Sequence, residues 1–213
     1  PFFDLMVPTS ATVATQSVVA AMLEGKHHVL LNGTTGTSKS AGLQSLIFDR
    51  LRTEDPASPW QSFSMVLSAQ TSSKQLQEKF ESKLRNHPAK KHGTACIGPA
   101  QGKTMVAFVD DLNMPMLEEY GASPPAELLR QLIVQGGCFD RKKMLWKDVL
   151  DIVHLAACGP PGGGKNELTQ RLTSRYFTLC QPAFSAESMH KVFHAILKGF
   201  FTAHKFADDV AAL

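Results

Sequence analysis

Five short apolar runs along the chain predict strands that are buried on both faces. Each run is nearly continuous in its apolar character, as is typical of parallel strands covered by helices. The runs cover residues 27–32, 62–69, 103–110, 151–158 and 175–181. Patterns typical of helices lie before, between and after them, at residues 9–24, 39–52, 71–86, 124–135 and 185–201. Strands that alternate with helices predict a doubly wound α/β domain.

The first and last of these helices carry apolar positions that indicate one buried face each. The first begins at a Thr/Ser cap, and its expected stripe consists of Val13, Ser17, Ala20 and Ala21. The last begins at Ser185, and its expected apolar face consists of Met189, Val192, Phe193, Ile196 and Leu197.

Two further segments show neither pattern. Residues 87–102 are rich in Lys, His, Gly and Pro, and we expect them to form an exposed loop. Residues 136–149 suit a small hairpin beside the sheet, with the charged residues 140–143 at a solvated turn.

Composition narrows the class of protein only slightly. Of the 213 residues, 43% are hydrophobic and 19% charged, which is ordinary for a soluble globular protein. The net charge of +3 is too small to indicate nucleic-acid binding, and no apolar stretch approaches a membrane span. The four cysteines lack metal-type spacing, and Cys158 and Cys180 are expected to be buried thiols in a reducing compartment. The first residue, Pro1, and the apolar end suggest a piece of a longer polypeptide.

The first strand leads into a glycine-rich segment that predicts a phosphate site. This segment differs from the P-loop pattern G-x-x-x-x-G-K-[ST] at one position. It reads Gly33, Thr34, Thr35, Gly36, Thr37, Ser38, Lys39 and Ser40. A strand that turns into a helix here points backbone N–H groups and the positive end of the helix at a phosphate. Lys39 would reach the β- and γ-phosphates, and Ser40 would bind Mg²⁺. The alternative is a turn without a ligand.

Ser38 is the substituted residue, because the P-loop pattern has glycine before the lysine. Its Cβ requires either relaxed backbone angles or a slightly open loop, and a positive φ costs an L-residue roughly 1–2 kcal/mol. A second glycine-rich run, residues 159–166, has glycine before Lys165 but lacks the hydroxyl residue that should follow. We interpret that run as a flexible connection, with a true P-loop as the alternative.

The third strand ends in two carboxylates, Asp110 and Asp111. In P-loop enzymes the first carboxylate at such a place supports Mg²⁺, and the second can orient or deprotonate the attacking water. We therefore assign Asp110 to the metal, and Asp111 with Lys39 to catalysis. Because Asp is one methylene shorter than Glu, Asp111 would stand back from the γ-phosphate, and such a displacement can cost about a hundredfold in rate. Two solvated aspartates are the alternative.

Four longer segments carry a resemblance to a known family. They read SAQTSS at 68–73, FVDDLNMP at 108–115, YGASPPAELLRQ at 120–131 and PPGGG at 160–164. These segments resemble the third AAA+ module of dynein heavy chains, and are closer to the axonemal branch than to the cytoplasmic one. The similarity extends from about residue 7 to about residue 200.

This resemblance implies a P-loop NTPase (AAA+) fold, a three-layer α/β/α domain with a five-stranded parallel sheet in the order 5-1-4-3-2. It implies a large subdomain over residues 1–183, and the start of a truncated helical small subdomain over residues 184–213. It also implies a ring of six modules with nucleotide between neighbours. Arg171 and Arg175 stand where the family places an arginine finger, which would act in trans on the preceding module's nucleotide.

The implied ligands are ATP or ADP with Mg²⁺, and the implied partners are the neighbouring modules of the same heavy chain. Microtubules would be contacted only indirectly, through the full motor, in the cytoplasmic cytoskeleton or the axoneme of a cilium or flagellum. Neither nucleic acid nor a membrane is an expected partner. Direct microtubule binding by this segment is disfavoured, since it lacks the long heptads of a stalk.

Three residues depart from the family pattern around the γ-phosphate. Ser38 replaces glycine, Asp111 replaces the usual glutamate, and Gly159 stands where a polar sensor residue, often Asn, ends the fourth strand. These changes bear on hydrolysis more than on binding. We therefore expect a regulatory nucleotide-binding module with weak or no hydrolysis in isolation. A fully active ATPase module is the alternative, and a structural module with a dead pocket is disfavoured by Lys39, Ser40 and Asp110.

Overall fold

Strands and helices alternate along residues 6–91 and 94–203, the part of the chain that the computed structural model describes. The strands are β1 (Val29–Gly33), β2 (Trp60–Val66), β3 (Arg85–Lys91), β4 (Thr94–Gly98), β5 (Thr104–Asp110), β6 (Gly137–Phe139), β7 (Trp146–Val149), β8 (Ile152–Cys158) and β9 (Phe177–Gln181). The helices are α1 (Ser10–Glu24), α2 (Lys39–Ser45), α3 (Ser73–Glu81), α4 (Pro124–Gln135), α5 (Gln170–Thr173) and α6 (Ala186–Ala203). A π-helical turn, Leu46–Arg50, continues α2.

The five strands that follow the apolar runs form one parallel sheet. Their order across the sheet is β2-β5-β8-β1-β9, and every neighbouring pair is parallel. Numbered in chain order and viewed from β9, this order is 5-1-4-3-2, so the predicted fold class is confirmed. The arrangement brings the carboxyl ends of β1, β8 and β5 side by side at one edge, where ligands bind in open α/β sheets.

Helices cover both faces of this sheet and complete the three layers. One apolar core joins the sheet to α1 and α2 through Leu23, Leu43 and Ile47. The other joins it to α3, α4 and α5 through Phe80, Leu129 and Leu172. All these side chains are almost fully buried, and burying each contributes roughly 1.5–3 kcal/mol to folding. The strands that carry the site are therefore fixed from both sides.

The face by which α1 packs differs from the predicted stripe. The helix buries Thr12, Val19, Ala20 and Leu23, whereas Val13, Ser17 and Ala21 are exposed. Because α1 is rich in Ala and Val nearly all round, its apolar pattern does not select one face. A capping box between Thr9 and Thr12 begins the helix and orients the buried face.

A second sheet of four strands, in the order β3-β4-β7-β6, lies between β2 and β8 in the chain. Its hairpin β6–β7 confirms the prediction for residues 136–149. The predicted loop at 87–102 is wrong, because β3 and β4 pair antiparallel within it, with an irregularity between His87 and Lys90. An edge strand tolerates Pro88 and lysines, since one side of it makes no ladder hydrogen bonds.

The charged turn of this hairpin packs onto α3 instead of lying free in solvent as expected. Arg141 donates from Nε to the side chain of Gln77 over 2.7 Å. Lys147 forms ion pairs with Glu81 and Asp140 at 3.1 and 2.7 Å. These contacts fasten the hairpin to α3, which also packs on the central sheet.

Two further expectations concern cysteine burial and the last helix. Cys158 is buried, as predicted, but Cys180 is exposed because β9 is an edge strand. Residues 185–201 are helical as predicted, although α6 buries none of its side chains fully. None of the helices in the described ranges has the length and apolar character to cross a bilayer.

Candidate functional site

The loop between β1 and α2 has the geometry of a phosphate cradle. Gly33 lies against the edge strand, where an added Cβ would stand 2.7 Å from the carbonyl oxygen of Gln181. Gly36 has a φ of 82°, which glycine adopts without strain. Thr37 is buried and donates its hydroxyl to the carbonyl of Thr34 over 2.8 Å. The loop is thus held by its own side chains while its backbone faces the carboxyl edge of the sheet.

Ser38 occupies the left-handed region, with φ 55° and ψ 26°. The sequence allowed either unusual backbone angles at Ser38 or an open loop, and the structure shows the unusual backbone angles. Ser38 precedes the first residue of α2, yet its side chain makes no capping hydrogen bond. The position therefore keeps a glycine conformation without gaining anything from the hydroxyl.

Lys39 begins α2 and folds back over the loop. Its Nζ donates to the carbonyls of Gly33 and Thr34 at 2.7 and 2.6 Å, and to the hydroxyl of Thr37 at 3.4 Å. Burial, followed by the nearby charge of Lys165, lowers the pKa of Lys39. All three ammonium hydrogens are engaged, so a bound phosphate would have to replace at least one of these carbonyl contacts.

The acidic pair lies at the end of β5, close enough to Lys39 to act on its pKa through charge. Asp110 is buried, and its Oδ1 accepts the backbone N–H of Asp111 over 2.9 Å. Asp111 is half-exposed and has a φ of 51°. A second non-glycine residue in the left-handed region thus lies at the same edge as Ser38, where strained backbone often marks a functional site.

Lys165 is a site residue that sequence analysis did not identify. Its Nζ lies 3.3 Å from Oδ1 of Asp111. It also lies 2.7 Å from the position that a Cβ would take on Gly159, so it fills the space beside the residue that lacks a side chain. The interpretation of residues 159–166 as a flexible connection is therefore wrong. The sequence shows a lysine after three glycines just past β8, which indicates a turn but not the contact with Asp111.

Oxygen ligands suited to Mg²⁺ are present at this edge. Mg²⁺ in such sites binds one or two protein oxygens and completes its shell with waters and phosphate oxygens. The buried carboxylate of Asp110 accepts one backbone hydrogen bond at Oδ1 and has further lone pairs. Ser40, in the first turn of α2, adds a hydroxyl. This donor set fits Mg²⁺ held jointly with a nucleotide. Within the described ranges, no group of three or more His, Cys, Asp or Glu could hold a metal by itself.

Next to the phosphate loop lies an apolar cleft of about 230 Å³ that opens to solvent. The loop contributes Gly36 and Ser38 to its wall, and α1 and α2 contribute Thr12 and Ala41. The apolar walls come from the residues before α1 and from α6 with the segment before it, and they consist of Met6, Val7, Phe184, Met189, Val192 and Phe193. Met189, Val192 and Phe193 belong to the predicted apolar face of the last helix, and the sequence gives no sign that this face adjoins the P-loop.

The two candidate arginines belong to the segment that precedes β9. Arg171 is in α5, Arg175 follows it, and both side chains are exposed. Neither guanidinium forms an ion pair with a carboxylate within residues 6–91 and 94–203. Their role in trans stays a prediction.

Comparison with known proteins yields one family. The model of the P-loop containing dynein motor region matches residues 1–184. Dynein axonemal heavy chain 6 of Homo sapiens is 41% identical over 202 residues, 95% of this chain and 5% of its own length. The Dynein-1-beta heavy chain of the flagellar inner arm I1 complex of Chlamydomonas reinhardtii is 36% identical over 213 residues, 100% of this chain and 4% of its own length. Dynein axonemal heavy chain 12 of Mus musculus is 35% identical over 211 residues, 99% of this chain and 6% of its own length.

Proposed function

This chain belongs to the family of P-loop containing dynein motor regions, and from that membership we propose that it is a regulatory nucleotide-binding module of an axonemal dynein heavy chain. The resemblance to axonemal heavy chains is confirmed. The assignment to the third AAA+ module remains a prediction, as do the ligands. The chain spans about a twentieth of the length of these relatives, so the properties of a whole motor extend to it only as a proposal.

The observation that carries the nucleotide assignment is the continuity of the phosphate loop with the apolar cleft. Gly36 and Ser38 belong to the loop and also line the cleft. A nucleotide needs these two environments side by side, since its phosphates seek backbone N–H groups and cations and its base seeks apolar and aromatic side chains. Bound in this way, ATP or ADP would extend from Met189 and Phe193 to Lys39.

Weak hydrolysis is supported by three features of the same edge. Asp111, at the end of β5, is one methylene shorter than the glutamate that usually activates water. Gly159 offers no side chain to the γ-phosphate. The strain at Ser38 persists in the folded chain. Ser40 and Asp110 would hold Mg²⁺, which would supply positive charge beside the phosphates. This chain's own residues bind the nucleotide more readily than they activate water.

The proposal includes a place in a larger assembly. Residues 1–183 would form the large subdomain, and residues 184–213 would begin the small one. Neighbouring AAA+ modules of the same heavy chain would be its direct partners, with Arg171 or Arg175 reaching the preceding module's nucleotide. Microtubules would respond only through the complete motor. The axonemal and flagellar relatives place the family in the cytoskeleton of cilia and flagella.

Isothermal titration calorimetry with Mg-ADP tests the role of the cleft. Phe193→Ser removes a ring that lines the cleft, and Phe177→Ser is the matched control, since both side chains are about half-exposed and Phe177 is on β9. We expect about 2- to 12-fold weaker ADP binding for Phe193→Ser, corresponding to the loss of one aromatic contact, and no change for Phe177→Ser. Pyrophosphate, which has no base, should bind both variants like the wild type. Equal ADP affinities for the two variants would contradict the assignment.

A further inference from the structure

The glycine run after β8 is a built turn that returns the chain to the site. Gly162, Gly163 and Gly164 have successive positive φ values of 118°, 59° and 86°. Gly162 and Lys165 exchange backbone hydrogen bonds of 2.9 and 3.1 Å, which close the turn. Residues with a Cβ would be strained at all three positions. The turn therefore fixes the position of the Lys165 backbone.

Two asparagines fasten this turn to the loop that follows β5. Asn113 is buried, and its Nδ2 donates to the carbonyls of Gly159 and Asn166 at 2.8 and 3.0 Å. Asn166 donates its backbone N–H to the carbonyl of Asn113 and its side chain to that of Pro115. The position of Lys165 relative to Asp111 is thus set by four hydrogen bonds as well as by their ion pair.

The strand order determines what this lysine faces. β8 lies between β1, which carries the phosphate loop, and β5, which ends in the acidic pair. Lys165 lies above the end of β8, with its side chain mostly buried, at 19% exposure. Its charge acts on Lys39 across this edge and helps to lower the pKa of that lysine. The ammonium groups of Lys39 and Lys165 therefore lie at the same edge of the sheet, and the carboxylate of Asp111 pairs with Lys165.

We propose that Lys165 is a γ-phosphate contact that replaces the polar side chain missing at Gly159, and that Asp111 holds it ready through their ion pair. This inference rests on the proposed nucleotide site and deepens it. A terminal phosphate within reach of Lys39 would lie beside Lys165 and would offer it a more highly charged partner than one carboxylate. ADP has no γ-phosphate and would leave the pair with Asp111 intact. Lys165 therefore favours nucleoside triphosphate over diphosphate.

The test measures the affinities of the chain for Mg-ADP and for Mg-ATPγS, which resists hydrolysis. Lys165→Met keeps the apolar stem and removes only the charge. We expect it to weaken ATPγS binding by about tenfold or more, as for the loss of one charge-assisted hydrogen bond, and to change ADP binding by less than about threefold. Lys165→Arg should retain most of the preference. Lys74→Ala, which removes an exposed lysine on α3, controls for a general loss of positive charge.

Asp111→Asn provides a second measurement that does not depend on the lysine variant folding. It frees Lys165 from its partner, so ATPγS should bind more tightly and ADP should be unaffected. A structural ion pair would instead lower thermal stability in both variants and leave the ratio of the two affinities unchanged, and that result would overturn the inference. If wild-type protein binds neither nucleotide, the proposed function fails and the inference fails with it. ADP binding with an unchanged ratio in Lys165→Met overturns the inference alone.

Discussion

A buried histidine makes the stability of this fold depend on pH in a way that the structure allows us to calculate. His154 lies in the middle of β8, 3% exposed, and its ring packs near His28 and Phe80 with centroid separations of 5.2 and 6.3 Å. Its Nδ1 is buried without a hydrogen-bond partner in the described part of the chain. Burial, together with the nearby charge of His28, lowers the pKa of His154 from 6.5 to about 3.

A lowered pKa of a histidine means that the folded state binds fewer protons than the unfolded state. The stability contributed by neutral His154 is therefore complete above the unfolded pKa of 6.5 and is lost as the pH falls from 6.5 towards 3. At pH 5, which is 1.5 units below the unfolded pKa, protonation of this histidine stabilises the unfolded state, so the fold loses about 2 kcal/mol of stability. This value hardly depends on the folded pKa, provided that it lies well below 5.

The assay is urea unfolding of the wild type and of His154→Leu at pH 7 and pH 5. Leucine is close to histidine in size and does not titrate, and the backbone N–H of residue 154 can still donate to Nδ1 of His28. His28, whose pKa is also lowered by burial and then by His27, contributes to the pH dependence of both proteins. We expect the wild type to lose about 2 kcal/mol more than His154→Leu between the two pH values. Equal losses would refute the reasoning.

Two further predictions concern the site. Ser38→Gly should raise the free energy of unfolding by about 1 kcal/mol, because relief of roughly 1–2 kcal/mol of left-handed strain exceeds the entropic cost of glycine. Differential scanning calorimetry should show a melting temperature about 2–4 °C higher, and an unchanged or lower melting temperature would show that the loop is unstrained. ATP turnover by this chain alone should stay at background in a coupled phosphate-release assay, because an arginine supplied in trans is worth about 10³–10⁵ in related NTPases, and robust turnover would favour the active ATPase module instead.

The central sheet was predictable because each of its strands follows a short apolar run between helical patterns, although the edge strand β9 is mostly exposed rather than buried on both faces. The second sheet was not, since β3 contains His87, Pro88 and two lysines and is an edge strand in the part of the sheet that the structure describes. Edge strands often carry lysine and proline, which hinder pairing with other chains, so they lack a regular apolar pattern. The buried face of α1 was also wrongly assigned, because residues with similar apolar character surround most of that helix. Patterns of burial predict elements with one distinct apolar side, and these two elements lack one.

The phosphate loop and the acidic pair were predictable because their chemistry depends on spacing within short segments. Lys165 was not, because its contact with Asp111 depends on three positive φ values and on hydrogen bonds to a loop 50 residues earlier in the chain, at about Asn113 to Pro115. The apolar cleft was missed for a related reason. Its walls come from the residues before α1, from the phosphate loop and from α6, and no window of sequence contains all three.

The most direct measurement is isothermal titration calorimetry of Mg-ADP into the wild type, Lys39→Ala and the control Lys74→Ala. Lys39 is the one ammonium held within the phosphate loop in the described structure, whereas Lys74 is exposed on α3. We predict saturable binding by the wild type and by Lys74→Ala, and at least about tenfold weaker binding by Lys39→Ala, as for the loss of a charged phosphate contact. Equal binding heats for the wild type and Lys39→Ala, or no heat for either, would contradict a nucleotide site in this loop.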